Sequence, residues 1–116
     1  MTDDGLLTDD GRLVASRCPA CALVAFPAER YGCERCGALA DSLLPVCLVP
    51  TGTVSASVLV HRHHDPALPP PFVVVAVALD GGPAIKGVLA GSIEPPPIGT
   101  RVRGFVADGR FFFEVD

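Results

Sequence analysis

The sequence predicts an all-β protein in two parts, a short cysteine-stapled ribbon followed by a five-stranded barrel. Three observations predict it. Four of the five cysteines fall in two CxxC pairs separated by eleven residues, Cys18-Pro-Ala-Cys21 and Cys33-Glu-Arg-Cys36. Beyond residue 50 the chain breaks into five short apolar segments divided by glycine and proline clusters. No segment repeats its apolar residues at the helical period of 3.6.

Residues 1–11 are acidic and glycine-containing, which predicts a loose tail. Arg12 to Arg17 alternates well enough to be the first strand of the ribbon, which runs over residues 12–40. Two CxxC turns let four sulfurs converge on one ion, with turn amides hydrogen-bonded back to the thiolates and the intervening segment folded as a hairpin. A stretch this short buries too little apolar surface to hold itself, so metal coordination supplies its order, roughly 10 kcal/mol or more. Cys18, Cys21, Cys33 and Cys36 are therefore the predicted ligands of one zinc ion. Four thiolates close the coordination sphere, which makes the site structural and not catalytic. Two alternatives stand beside zinc. A pair of disulfides belongs to an oxidising compartment, whereas the acidic N-terminus lacks the basic, apolar pattern of a secretion signal. Iron bound as in rubredoxin uses the same spacing; the flanking Arg17, Glu34 and Arg35 and the attached β-rich module favour zinc. Cys47, among apolar neighbours, reads as a small buried hydrophobe.

Residues 38–49 read as an extended connector broken by Pro45, and residues 41–116 as the barrel unit. The first barrel strand opens at Thr51-Gly52-Thr53, with Val54, Val58 and Val60 in alternation. Three consecutive prolines put residues 61–71 in a loop. Phe72 to Leu79 is the longest uninterrupted apolar run, Gly81-Gly82 turns it into a second strand, and a further proline cluster leads to Arg101 to Ala107. Asp108-Gly109 is a two-residue hairpin signal before a final aromatic strand. Five short antiparallel strands that must hide their edges fit an OB-fold barrel.

Two of these strands are apolar on both faces. In the last, Phe111 and Phe113 point one way and Phe112 the other. One face of each strand must be covered from outside the barrel, by the ribbon or by a partner protein, and Phe72, Phe111 and Phe112 are the candidate interface residues.

Composition narrows the function. Hydrophobic residues are 49% and charged ones 19% of 116 residues, which indicates one folded unit. No apolar run is long enough to span a membrane, so the expected location is the cytoplasm. The net charge of −4 opposes nucleic-acid binding, and it falls to about −6 once four thiolates hold a divalent ion. His61, His63 and His64 form a possible second metal cluster, although no rigid element fixes a third ligand. Arg101 and Arg103 share a strand face and, with Arg62, Lys86 and Arg110, could form a small phosphate-binding area. A nucleophile with a paired base, a phosphate loop and paired carboxylates are not apparent.

Read in order, RCPACALVAFPAERYGCERCG, TGTVSASVLVHR, PPFVVVAVALDGGPAIKGVLAG and IGTRVRGFV resemble a family of small proteins in which a rubredoxin-like zinc ribbon precedes an OB-fold. The resemblance spans residues 12–107. Its members usually have a glycine directly after the first knuckle, where this chain has Ala22, and a helical segment ahead of the ribbon that is nearly absent here. The resemblance implies an accessory subunit of thiolase-like enzymes, including lipid-transfer-type aldolases of steroid side-chain breakdown, or of hot-dog-fold enoyl-CoA hydratases. It implies that the partner carries the catalytic residues and that acyl-CoA is a shared ligand; in that setting the cationic area of Arg62, Lys86, Arg101 and Arg103 would suit coenzyme A phosphates. A single-stranded nucleic-acid binder and a rubredoxin-like electron carrier are the alternative functions.

Overall fold

A computed structural model describes residues 7–8, 10–62 and 69–116. Its strands are β1 (Leu13–Arg17), β2 (Val24–Ala25), β3 (Leu44–Leu48), β4 (Thr51–Val60), β5 (Phe72–Leu79), β6 (Ala84–Leu89), β7 (Arg101–Ala107) and β8 (Arg110–Val115), with one short 3-10 turn at Ala40–Ser42. Among the described residues no helix is long and apolar enough to cross a membrane.

The first three strands form one sheet in the order β2-β1-β3, and the other five close a barrel in the order β4-β5-β6-β8-β7. Residues 44–48, expected as part of a connector, are instead an edge strand paired along the whole of β1, from Leu13 opposite Leu48 to Arg17 opposite Leu44. Pro45 misled that reading: a proline cannot donate to a ladder, but an edge strand has one unpaired side where the missing N–H costs nothing. Cys47, on this strand, is exposed and not the buried hydrophobe expected. The end of the N-terminal segment is also tied down, because Leu7 bridges to Leu13 and the Thr8 N–H donates to the Arg12 carbonyl.

The five barrel strands form where alternation placed them. They are not all antiparallel: Val88 and Leu89 of β6 run parallel to Phe112 and Phe113 of β8. A closed ring with an odd number of strands cannot alternate direction throughout, so one neighbouring pair must be parallel. Such a pair needs a long crossover, here residues 90–109 including β7. At the β7–β8 hairpin Asp108 and Gly109 both take positive φ, 51° and 74°, as the tight turn demands.

The barrel interior is filled by Val54, Val73, Val75, Val77, Leu79, Leu89, Val102 and Phe113. A shift of register between Val54 and Ala56 marks a bulge in β4 that re-aims the strand. Leu13 of the ribbon belongs to the same cluster, with Leu7, Phe26 and Leu48 packed beside it. The ribbon therefore plugs one end of the barrel and also meets the β5–β6 turn, where the Leu48 side chain lies close over Gly81. Among the described residues no ribbon strand packs along β5.

Candidate metal centre

Each knuckle is built by the same backbone pattern. In the first, the Ala22 N–H donates to the Cys18 carbonyl and the Cys18 N–H to the Leu23 carbonyl; in the second, Gly37 donates to Cys33 and Cys33 to Ala38. The residue after each pair must adopt left-handed φ to close this loop, 67° at Ala22 and 78° at Gly37. Hydrogen bonds from the Leu23 and Ala38 amides also reach the Cys21 and Cys36 sulfurs.

The two knuckles face one another. Cys18 Sγ lies 3.5 Å from Cys36 Sγ, and Cys21 Sγ 3.5 Å from Cys33 Sγ. All four sulfurs fall within 4.8 Å of one another. A tetrahedral zinc site with Zn–S bonds of about 2.3 Å has sulfurs about 3.8 Å apart, so this donor set fits one ion. The disulfide alternative is overturned, because all five cysteines are free thiols.

Titration of Cys21 and Cys36 explains why a cation belongs here. The Leu23 amide, and then Arg35, draw the Cys21 thiol down to about 6. At Cys36 the Ala38 amide also favours the thiolate. Even so, hydrogen bonding with Cys18, burial, and the neighbouring Cys21 and Cys33 together push it up to about 12. Converging sulfurs give up a first proton readily and a last one reluctantly unless a cation neutralises the cluster.

A polar strap holds the knuckles in place. Ser16, buried on β1, accepts the Glu29 N–H at 3.0 Å; the Glu29 carboxylate accepts the Glu34 N–H at 3.1 Å; and Arg35 Nη2 donates to the Cys21 carbonyl at 2.6 Å. Arg35 thus joins the second knuckle to the first. Its position inside a Cys-x-Arg-Cys turn is visible in the sequence, but its partner across the site is not.

The basic residues expected at coenzyme phosphates are not assembled into one patch. Arg101 makes a double hydrogen bond to Asp80, at 2.8 and 2.7 Å, and Arg103 pairs with Glu114 at 3.3 Å. Those two lie opposite Thr53 and Thr51 at the start of β4, whereas Arg62 is exposed beyond its far end and Lys86 sits on β6, two strands away. The charges of Arg101 and Arg103 are engaged by local carboxylates. Arg110 is partly buried. Of the histidines, His61 is exposed after β4, and His63 and His64 lie outside the described residues.

The aromatic candidates divide. Phe111 packs against the core edge-on to Phe113, with ring centroids 5.1 Å apart, so it belongs to the interior and not to a partner surface. Phe112 faces outward and stacks on Phe105 at 5.9 Å. Phe72 is outward by alternation yet only 8% exposed, tucked into a groove with Pro71, Val88, Ile93 and Phe112.

A four-cysteine ribbon plugging a closed five-stranded barrel defines a zinc-ribbon OB-fold protein. The chain belongs to the ChsH2 family: residues 7–41 match its rubredoxin-like zinc ribbon domain and residues 46–107 its C-terminal OB-fold domain. Among solved structures it is similar to a chain of the Ltp2-ChsH2(DUF35) aldolase, with 27% identity and a TM-score of 0.73 over 90% of this chain and 84% of that one. A comparison with curated proteins gave no match.

Proposed function

We propose that this chain is a non-catalytic, zinc-stabilised subunit of an acyl-CoA-processing enzyme. Its partner in this reading is a thiolase-fold aldolase of the lipid-transfer type, with a hot-dog-fold hydratase as the less favoured class, and the complex works in the cytoplasm on lipid or steroid side chains. One observation carries the reading: ribbon and barrel together, in order, align with a chain from an Ltp2-ChsH2 aldolase. The chemistry of the chain agrees. Four thiolates leave zinc no open position, so Cys18, Cys21, Cys33 and Cys36 would hold the ion as a structural staple. The role assigned here is to stabilise the partner and shape its acyl-CoA entrance.

Co-expression with an Ltp2-type subunit of the same organism tests this. The expected result is a hetero-oligomer on size-exclusion chromatography with one zinc per copy of this chain. Two separately eluting proteins, or iron in the ribbon, would contradict it. The nucleic-acid reading is less well supported, because Arg101 and Arg103 are engaged by carboxylates and the net charge is negative.

A further inference from the structure

The strand register makes one row of outward side chains continuous around the barrel. Val58 on β4 lies opposite Val74 on β5, Val74 opposite Val88 on β6, Val88 opposite Phe112 on β8, and Phe112 opposite Phe105 on β7. Each strand contributes one apolar residue. All five stay at least partly exposed, Val58 at 56%. An antiparallel sheet with one solvated face ordinarily alternates apolar inside with polar outside. Here β5 breaks that rule along its length, with Val74, Ala76 and Ala78 all outward.

At a strand spacing of about 4.8 Å the row follows the curved wall for roughly 20 Å, of which Val58, Val74 and Val88 take up about half on one side of the barrel. With the neighbouring row of Ala56, Ala76 and Lys86 they make a contiguous patch on three adjacent strands, placed to form the centre of a standard interface burying about 800 Å² per partner. Among the described residues no ribbon strand packs along it, and Ala56, Val58 and Lys86 stay exposed.

Charge says what kind of surface fits. Arg12, Arg101 and Arg103 are paired with Asp10, Asp80 and Glu114. Lys86 has no hydrogen bond or ion pair among the described residues, and it stands at a shallow cavity lined by Ala56, Val58, Val74 and Ala76. Covering the apolar rows strips water from this ammonium, which is unfavourable unless a negative group meets it.

We infer that this outer face of β4, β5 and β6, continued over Phe112, is where the partner subunit docks, through an apolar patch that carries a carboxylate opposite Lys86. This inference rests on the accessory-subunit reading. Its test is a calorimetric titration of the purified Ltp2-type subunit into the zinc-loaded chain. Val58→Asp and Val74→Asp weaken binding about 30-fold or more, and Lys86→Glu about tenfold, with the Lys86 effect shrinking as salt rises. Tyr31→Asp, on the exposed ribbon surface, leaves affinity unchanged. Thermal melts verify folding, and Val58 is exposed enough to be replaced without disturbing the core. If the wild type binds and the face variants bind equally well, the inference is overturned and the accessory reading stands. Failure of the wild type to bind overturns both. If Lys86→Glu weakens acyl-CoA binding and not subunit binding, the face is a coenzyme contact and the inference fails.

Discussion

The ribbon and the barrel solve the same folding problem with different materials. The barrel buries Val54, Val73, Val75, Val77, Leu79, Leu89, Val102 and Phe113 in one contiguous cluster. The ribbon buries little beyond Leu13, Ala15, Ser16, Cys18 and Cys33, and Leu13 is already part of the barrel's cluster. Hydrophobic burial therefore holds the barrel, whereas the ribbon depends on its metal and on the end of the barrel it plugs. Two modules can share one core residue and still differ in what unfolds them.

The largest expected effect comes from taking the metal away. Chelation, or Cys33→Ser, removes roughly 10 kcal/mol or more of ordering free energy from the ribbon. Amide hydrogen exchange should then show protection lost across β1 to β3 and kept in β5 and β6; loss everywhere would erase the contrast. Acid has the same effect by proton competition. With Cys21 down at about 6 and Cys36 up at about 12, zinc must displace the Cys36 proton at neutral pH, whereas Cys21 is already largely ionised. Lowering the pH returns protons to both, so zinc affinity falls, as a chromogenic chelator would record.

The converse attack is on the barrel. Phe113→Ala empties the centre of the core and should lower stability by about 3–5 kcal/mol in a denaturant titration, with zinc stoichiometry unchanged. A smaller loss, about 1–3 kcal/mol, is expected for Gly87→Val, because a Cβ at Gly87 would sit 2.8 Å from the Phe113 ring.

Ala22→Gly sharpens the comparison in the opposite direction. Ala22 holds φ at 67°, where glycine is unstrained, so the substitution should slow zinc loss and stabilise the ribbon by about 1 kcal/mol. The smallest effect belongs to Asp80→Asn. The hydrogen bonds from Arg101 hold the Asp80 carboxyl below the usual carboxylate range, with Thr51 contributing after burial is offset. A depressed folded pKa means stability that is present above the unfolded carboxylate pKa and lost as pH falls through the lower folded value. The variant should melt slightly earlier at pH 7, and the difference should vanish in strong acid.

The sequence was legible where local chemistry decides the outcome. Two CxxC turns, the alternation of β4, the long run of β5 and the Asp108-Gly109 hairpin are each readable within a dozen residues. What escaped it depended on distance along the chain. Pro45 hid β3 because its tolerance follows from an edge position, which only the pairing with β1 establishes. The Arg101–Asp80 pair spans 21 residues and Arg103–Glu114 spans 11, so the apparent cationic face was already neutralised by residues not adjacent in sequence. Phe111 likewise looked available until the barrel closed over it, whereas the apolar row through Val58, Val88 and Phe112 exists only in the register of five strands.

The most direct test of the central claim is carbon–carbon cleavage by an Ltp2-type subunit acting on an acyl-CoA substrate. It would be measured alone, with the zinc-loaded chain, and with the chain stripped of metal. The account predicts full turnover with the zinc-loaded chain, strongly reduced turnover or insoluble enzyme without it, and no turnover by this chain alone. Equal turnover in the presence and absence of the chain, or cleavage by the chain by itself, would contradict it.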